Sequence, residues 1–283
     1  ATRTRVQREV EAALGQLAAR EGSLPWILAD SLGEVPEALW PAVARGVGRS
    51  LRQSGVALLR RMLGHGLELD LVVLTELGRV DPRDRQAVRQ GLFDLLSTRL
   101  DDTEPRVRKH AALALGRLHD FRAAEALVRG LADADDSVAR AAHHALQSLS
   151  GMGWPAEAGR WVEWRRRETL WLDSELPGLE RDVSAADPGR AAGALRELAH
   201  HAHLRDEIAS PILSGLHHAE PSVVELACSV AAAAGADGAL AELLGLLEHA
   251  DEEVRRAAHS ALVSIGGVRG PEELSWWREW LGS

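Results

Sequence analysis

Histidines are the side chains of this sequence best suited to bind a metal ion, and there are 12 of them. They cluster at His143-His144, at His217-His218, and at His200, His201 and His203. Metal sites on helices use histidines spaced i, i+3 or i, i+4, usually beside a carboxylate, whereas adjacent histidines point about 100° apart. Only His200 and His203 have a useful spacing. The sequence therefore predicts no metal site, and it indicates no other cofactor.

The sequence contains no recognisable catalytic pattern. It shows no Ser-His-Asp order, no phosphate-binding glycine loop and no signature of paired catalytic carboxylates. Its single cysteine, Cys228, excludes an internal disulfide and has no basic neighbour that would favour a thiolate. We therefore predict a protein without catalytic residues, in which Cys228 is a small packing residue.

The tryptophans are the residues best suited to contact a peptide or an unstacked base. Trp161 and Trp164 are spaced i, i+3, as are Trp277 and Trp280, so each pair lies on one face of a short helix. The alternative role for such a pair is a hydrophobic cap over the open end of a helical array. We favour the structural cap for all four.

The net charge of −9 is concentrated towards the carboxyl end of the chain. Residues 173–283 carry 8 arginines and 19 acidic residues, whereas residues 1–172 are close to neutral. An acidic surface repels phosphate backbones, so the charge argues against nucleic acid as a partner. The sequence has no run of about 18 apolar residues, and its Arg-rich start lacks the pattern of a signal peptide. We therefore expect no membrane insertion and a cytoplasmic location, and a signal peptide removed from this sequence is the alternative.

Apolar residues recur at helical spacing along almost the whole chain, and no convincing alternating strand pattern occurs. Three such faces are Val107, Ala111, Leu115 and Leu118; Val138, Ala142, Leu146 and Leu149; and Val254, Ala258, Leu262 and Ile265. Asp135 and Asp251 are placed to cap the helices that follow them. Gly116 and Gly266 fall near helix ends, where we expect left-handed C-caps. The sequence predicts an all-α fold.

The helices repeat with two periods. Val107 and Val138 are 31 residues apart, as are Val223 and Val254, which is the length of a helix pair. A longer period of 116 residues relates the first two valines to the second two. At this longer period the segments PAEAGRWVEW (155–164) and PEELSWWREW (271–280) agree at five of ten positions. The chain therefore contains two related modules, each closed by a Trp-bearing helix.

This duplication predicts the domain organisation of the chain. The predicted parts are an amino-terminal helical cap with divergent helix pairs (1–83), a first module (84–172), a connector (173–186) and a second module (187–283). Pro177, Gly178 and several charged residues mark the connector. Whether the two modules stack continuously or hinge at the connector is left open, with continuous stacking favoured.

Two segments carry a resemblance to a known family. DDTEPRVRKHAALALGRLHDFRAAEALVRGLADADDSVARAAHHALQSL and HADEEVRRAAHSALVSIG resemble HEAT repeats, of the short bacterial kind related to phycobilisome-lyase repeats. The resemblance is strong over 84–150 and 204–266 and weaker over 1–83. It implies an α-solenoid of stacked antiparallel helix pairs, in which the second helix of each pair lines a concave surface.

The resemblance also indicates where a partner protein or peptide would bind. Side chains beside and opposite the buried face of the second helices would line the groove or its rim. These are Lys109, Arg140, His143, His144, Glu225, Arg256 and His259. Arg140 with His143 and His144, and Arg256 with His259, would form two similar basic patches. The alternative is an ordinary solvated face.

The resemblance leaves three classes of function to compare. We favour a non-catalytic scaffold that binds another protein or a peptide. The alternatives are a nucleic-acid binder similar to HEAT-like alkylpurine DNA glycosylases and a lyase-type HEAT enzyme. A di-iron enzyme similar to deoxyhypusine hydroxylase would need His-Glu pairs near the start of the second helices, but the matching pairs here are Lys109-His110, Arg140-Ala141 and Arg256-Ala257.

Overall fold

A computed structural model shows that the regular secondary structure of the described residues is helical throughout, which confirms the all-α class. The structure describes residues 34–48, 53–79 and 85–282, together with Arg5, Arg8, Glu9, Ala12 and Ala13. The predicted amino-terminal segment 1–83 therefore lies partly outside the described residues. In the described part of the chain, no helix has the length and apolar character needed to cross a bilayer.

The chain divides into two compact units, residues 1–161 and residues 162–282. The first contains α1 (Trp40–Gly48), α2 (Gln53–Met62), α3 (Leu67–Leu77), α4 (Arg85–Arg99), α5 (Pro105–Leu118), α6 (Ala124–Gly130) and α7 (Asp136–Ser150). The boundary falls inside α8 (Ala158–Ser174). The second contains α9 (Leu176–Val183), α10 (Pro188–His200), α11 (Ala209–Leu216), α12 (Pro221–Ala234), α13 (Leu240–Gly245), α14 (Glu252–Gly266) and α15 (Leu274–Gly282). The segment 173–186, predicted to be a connector, holds α9.

Within each unit the helices pack in two layers of alternate helices. In the first unit, α3 packs against α5 and α5 against α7, while α4 and α6 cover them from the other layer. In the second unit, α10 packs against α12 and α12 against α14, with α11 and α13 in the covering layer. A single helix pair cannot bury its apolar face, so each pair depends on its neighbours for a core. We call α5, α7, α12 and α14 the second helices of their pairs.

The 116-residue period holds for the helices themselves. Helix α5 begins at Pro105 and α12 at Pro221, and the starts of α6 and α13, α7 and α14, and α8 and α15 are offset by the same amount. Even the single 3₁₀ turns, Phe121–Ala123 and Asp237–Ala239, match in this register. The sequence repeat therefore reports a repeat of structure, with matching helix starts in both units.

The predicted apolar faces form the core of both units. Each of the twelve apolar residues predicted for α5, α7 and α14 is buried. The predicted N-caps are also confirmed, since Asp135 accepts hydrogen bonds from the amides of Ser137 and Val138, and Asp251 from those of Glu253 and Val254. Such caps satisfy amides that the first helical turn leaves without a partner.

The two predicted glycine C-caps are wrong, for different reasons. Helix α5 continues past Gly116 to Leu118 and is capped by His119, whose φ of 52° is left-handed. Gly116 is instead a packing position, because a Cβ there would lie 2.6 Å from the Cα of Ala145 in α7. Helix α14 includes Gly266 and is capped one residue later by Gly267, with a φ of 65°.

An arginine ladder between neighbouring repeats is present in the first unit. Arg108 of α5 donates two hydrogen bonds of 2.8 Å to the carboxylate of Asp133, which precedes α7, and further bonds to the carbonyl oxygens of Asp102 and Thr103. Arg255, which follows the first valine of α14 as Arg108 follows the valine of α5, makes only carbonyl bonds of its own loop among the described residues. The Arg108 hydrogen bonds also lower the pKa of Asp133 below its usual value.

Replacing Arg108 by Ala should lower the free energy of unfolding by about 2 kcal/mol, because it leaves a largely buried Asp133 carboxylate without its partner. Arg255→Ala should cost about 1 kcal/mol, since only neutral carbonyl oxygens lose a donor. Urea denaturation of both variants measures the difference. Equal losses of unfolding free energy in the two variants would show that the Arg108–Asp133 ion pair adds no stability beyond the hydrogen bonds to the loop carbonyl oxygens.

Candidate functional site

The two Trp-bearing helices start with the same internal contacts. Trp161 and Trp277 are fully buried. The indole Nε1 of Trp161 donates to the carbonyl oxygen of Pro155 at 2.9 Å, and that of Trp277 to Pro271 at 2.8 Å. A buried indole with a satisfied N–H is a core residue, so neither ring offers a platform for a ligand.

The equivalent histidines His143 and His259 also face inward. Their Nε2 atoms lie 2.7 and 2.9 Å from the carbonyl oxygens of Trp154 and Gly270, in the loops that lead to α8 and α15. Their rings meet the neighbouring Trp rings edge to face, at centroid distances of 6.2 and 6.0 Å. The sequence placed both imidazoles on a binding surface, but the structure uses them to anchor these loops.

The second tryptophans of the two pairs differ from each other. Trp164 is fully buried, and its ring lies 5.7 Å from that of His203 in the second unit. Trp280 is half-buried and packs over Gly266, where a Cβ would lie 3.0 Å from the ring. Trp164 lies in the first half of the 17-residue α8.

The second helices of the first unit present basic side chains that have no partner among the described residues. Lys109 of α5 and Arg140 of α7 occupy the same register position, 31 residues apart, on helices that pack side by side. Lys109 is half-buried, whereas Arg140 and His144 are exposed. Among the described residues, none of the three has a hydrogen-bond or ion-pair partner for its side chain. We call Lys109, Arg140 and His144 the cationic edge.

The corresponding positions of the second unit do not form a similar basic patch. Glu225 stands where α5 has Lys109, which reverses the charge. Arg256, the counterpart of Arg140, is bound by Glu252 at 3.0 Å and by Glu253 at 2.7 Å on its own helix. The two surfaces that the sequence predicts to be alike therefore differ in charge.

The turn before each second helix reveals a role for histidine that the spacing argument missed. In each of these turns, the side chain two residues before the N-cap accepts a hydrogen bond from the backbone amide of the N-cap residue. The accepting side chains are Asp102 and Asp133 in the first unit and His218 and His249 in the second. These bonds are 2.9 to 3.1 Å long. An imidazole Nδ1 accepts only when it carries no proton, and the Nε2 of His218 accordingly donates to the carbonyl oxygen of Ala185.

One cluster of potential metal ligands forms within the second unit. The Nδ1 atom of His201 lies 2.7 Å from Oε2 of Glu168, and Nε2 of His203 lies 3.3 Å from the same oxygen. Glu168 comes from α8, and both histidines come from the turn that follows α10. All three side chains are at least four-fifths buried, and their ligand atoms lie within 4.8 Å of one another.

Aromatic rings enclose this Glu-His-His cluster. The indole of Trp171 stacks on His201 at 3.7 Å, and Trp164 lies beside His203. Burial alone would raise the pKa of Glu168, but the hydrogen bond with His201 and the electrostatic attraction of both histidines outweigh it and lower the pKa to about 2. The carboxylate is therefore ionised at neutral pH.

Little in the sequence predicts this cluster. The i, i+3 rule selected His200 and His203, but His200 is exposed and α10 ends there. In the turn beyond the helix, His201 and His203 point the same way despite a spacing of two. The third member, Glu168, lies 33 residues before His201. This separation is close to the 31-residue length of one helix pair, and it is the one feature of the sequence that indicates the contact.

Cys228 has the packing role predicted for it. Its side chain is fully buried in α12. Burial raises the pKa of the thiol to about 12, so it carries almost no thiolate at neutral pH.

Comparison with known proteins identifies the repeat. A family model described as HEAT repeats matches residues 68–147 and 209–282, more than half of the chain. Among solved structures, the chain is similar to an engineered protein (19% identity, 98% of this chain and 77% of that chain, TM-score 0.39). It is also similar to human deoxyhypusine hydroxylase in complex with glycerol (20% identity, 94% of this chain and 99% of that chain, TM-score 0.34). A third similar structure is an archaeal HEAT-like repeats protein from Thermococcus onnurineus NA1 (18% identity, 82% of this chain and 98% of that chain, TM-score 0.33). Similarities this low carry no information on function. A search among curated proteins gave no match.

The histidine acceptors of the second unit should be exchangeable for the aspartates of the first. We expect His249→Asp to change the free energy of unfolding by less than about 0.5 kcal/mol, because the carboxylate still accepts the Asp251 amide. His249→Leu should cost about 1 kcal/mol, since that amide loses its acceptor. Urea denaturation tests this, with the exposed His217→Leu as control. A destabilised Asp variant would contradict the exchange.

The thiol of Cys228 should report global unfolding. At pH 8, well below its pKa of about 12, the folded protein should not react with Ellman's reagent, and reaction should begin only as denaturant unfolds the second unit. Absorbance at 412 nm against urea concentration measures this. Full reaction in the absence of urea would show that the thiol is accessible.

Proposed function

Because the chain belongs to the HEAT-repeat family, we propose that it is a non-catalytic scaffold that binds an acidic segment of a partner protein on the first unit. HEAT repeats commonly provide protein-binding surfaces, because their stacked helices leave a row of side chains free for contact. The observation that carries the proposal is the cationic edge, Lys109, Arg140 and His144, whose side chains have no partner among the described residues.

The cationic edge is suited to recognition because of its register. Lys109 and Arg140 lie at the same position of neighbouring packed helices, whose axes are typically 8–10 Å apart. An extended peptide advances about 3.3 Å per residue and presents side chains of one face every second residue. Carboxylates at positions i and i+2 of such a peptide can therefore meet both cations.

The other polar residues predicted for partner contact give weaker support. His143 and His259 are engaged with loop carbonyl oxygens, and Arg256 is neutralised by two glutamates. Detaching Arg256 from Glu252 and Glu253 would offset part of any gain from binding. The proposal therefore concentrates recognition on the first unit, whereas the sequence predicted two equal patches.

Binding selections with the full chain as bait test this proposal. A displayed library of random peptides should yield acidic sequences, whose affinity can be measured by fluorescence anisotropy. Arg140→Gln should weaken binding about tenfold or more, because a charge-assisted hydrogen bond is lost. Arg256→Gln removes the same charge from the equivalent position of the second unit and should leave the affinity within about twofold.

Lys109 gives an independent readout, because it is the only lysine of the chain. A bound peptide should protect this residue from an acetylating reagent, as measured by mass spectrometry of the Lys109 peptide. Equal loss of affinity in both Arg variants, or selection of peptides without acidic residues, would contradict the proposed surface. Duplex DNA that binds at low salt and dissociates steeply with added salt would favour the nucleic-acid alternative.

A further inference from the structure

We propose that Glu168, His201 and His203 form a binding site for one Zn²⁺ ion in the second unit. The cluster brings two imidazole nitrogens and one carboxylate oxygen to a common point, which is a ligand set that zinc uses in proteins. Nothing in the proposed scaffold function requires this site, so the two proposals stand or fall separately.

The distances from the Glu168 oxygen to the two imidazole nitrogens are close to those of a tetrahedral ion. Zinc bonds of about 2.0–2.1 Å to nitrogen and oxygen, at a tetrahedral angle, place ligand atoms about 3.3 Å apart. Nε2 of His203 already lies 3.3 Å from Oε2 of Glu168. Nδ1 of His201 lies 2.7 Å from that oxygen, so this distance needs to open by about half an ångström to match the same geometry.

His203 provides a second, independent indication of a ligand. Its side chain is nine-tenths buried, and its Nε2 has no hydrogen-bond partner, since the contact with Glu168 lacks the alignment of a hydrogen bond. A buried polar atom without a partner costs free energy. A metal ion bound between Glu168 and Nε2 would remove this cost.

The surroundings of the cluster also favour a bound cation. Nε2 of His201, the nitrogen turned away from Glu168, lies 3.9 Å from the carboxylate of Glu197, and a carboxylate in this position typically orients a metal-bound imidazole. Two neutral imidazoles and one carboxylate leave the site with a net charge of +1 when Zn²⁺ is bound. The acidic residues that dominate 173–283 offset that charge.

The chemistry of the ligands selects the class of ion. Imidazole nitrogens disfavour Ca²⁺ and Mg²⁺, which prefer oxygen, and suit Zn²⁺ and its probe Co²⁺. Three protein ligands leave one position of a tetrahedron for water. The ion would join α8 to the turn after α10 and thereby stabilise the second unit.

Metal titration of the full chain tests the site. After treatment with EDTA and removal of the chelator, Zn²⁺ should bind with one ion per chain in isothermal titration calorimetry and raise the Tm by about 5 °C or more at saturation. Co²⁺ should give the visible absorption of a tetrahedral complex and quench tryptophan fluorescence through the stacked Trp171. Glu168→Gln and His203→Gln should each weaken Zn²⁺ binding more than about 100-fold, since even outer partners of metal ligands contribute 10- to 100-fold.

His200→Gln is the matched control, because it removes an exposed neighbouring imidazole that is not part of the cluster. It should bind Zn²⁺ as the parent does. If a ligand variant fails to fold, the Co²⁺ spectrum of the parent decides, because tetrahedral absorption requires ligands held in place. The proposal is overturned if the folded parent binds neither ion at millimolar concentration, or if His200→Gln lowers the affinity as much as Glu168→Gln.

Discussion

Close packing between neighbouring helices is the constraint on which both units depend. At Gly116 the backbone of α5 approaches Ala145 of α7 so closely that any Cβ would overlap it. Gly215 of α11 meets Ala227 of α12 in a similar way, with 2.9 Å between the Cβ atoms that would face each other. Small residues at the contacts fix the depth and register of the helices. This register sets Lys109 beside Arg140 and aligns the capping turns. The packing of the core therefore determines where the surface side chains and the loops lie.

Much of the fold could be predicted because its rules are local and repeated. The helical period placed the apolar faces correctly, and the 116-residue offset predicted matching helices down to single turns. The errors arose where packing between helices overrides a local preference. Gly116 near a helix end has the signature of a C-cap, but only the neighbouring Ala145 explains why a glycine is needed there. The sequence of one helix does not contain that information.

The candidate sites were harder to predict, because a side chain's partner is a matter of distance and not of spacing. His143 and Arg140 lie on one helix and were assigned to one patch, yet His143 turns to the carbonyl oxygen of Trp154 while Arg140 stays in solvent. The Glu168 and His201 pair joins residues from different helix pairs, and no motif marks it. Spacing rules for metal sites assume that the ligands share one helix, whereas here a turn supplies two of them.

Comparison of the two copies distinguishes contacts that both units share from features that only one unit has. Contacts that recur at the 116-residue offset, such as the hydrogen bonds of Trp161 and Trp277, maintain the loops in both units. Residues that differ at that offset do not make these shared contacts. Lys109 stands in the first unit where Glu225 stands in the second, and this difference confines the cationic edge to the first unit. Since the contacts that the two copies share maintain the fold, the function of each unit is best sought at the positions where the two copies differ.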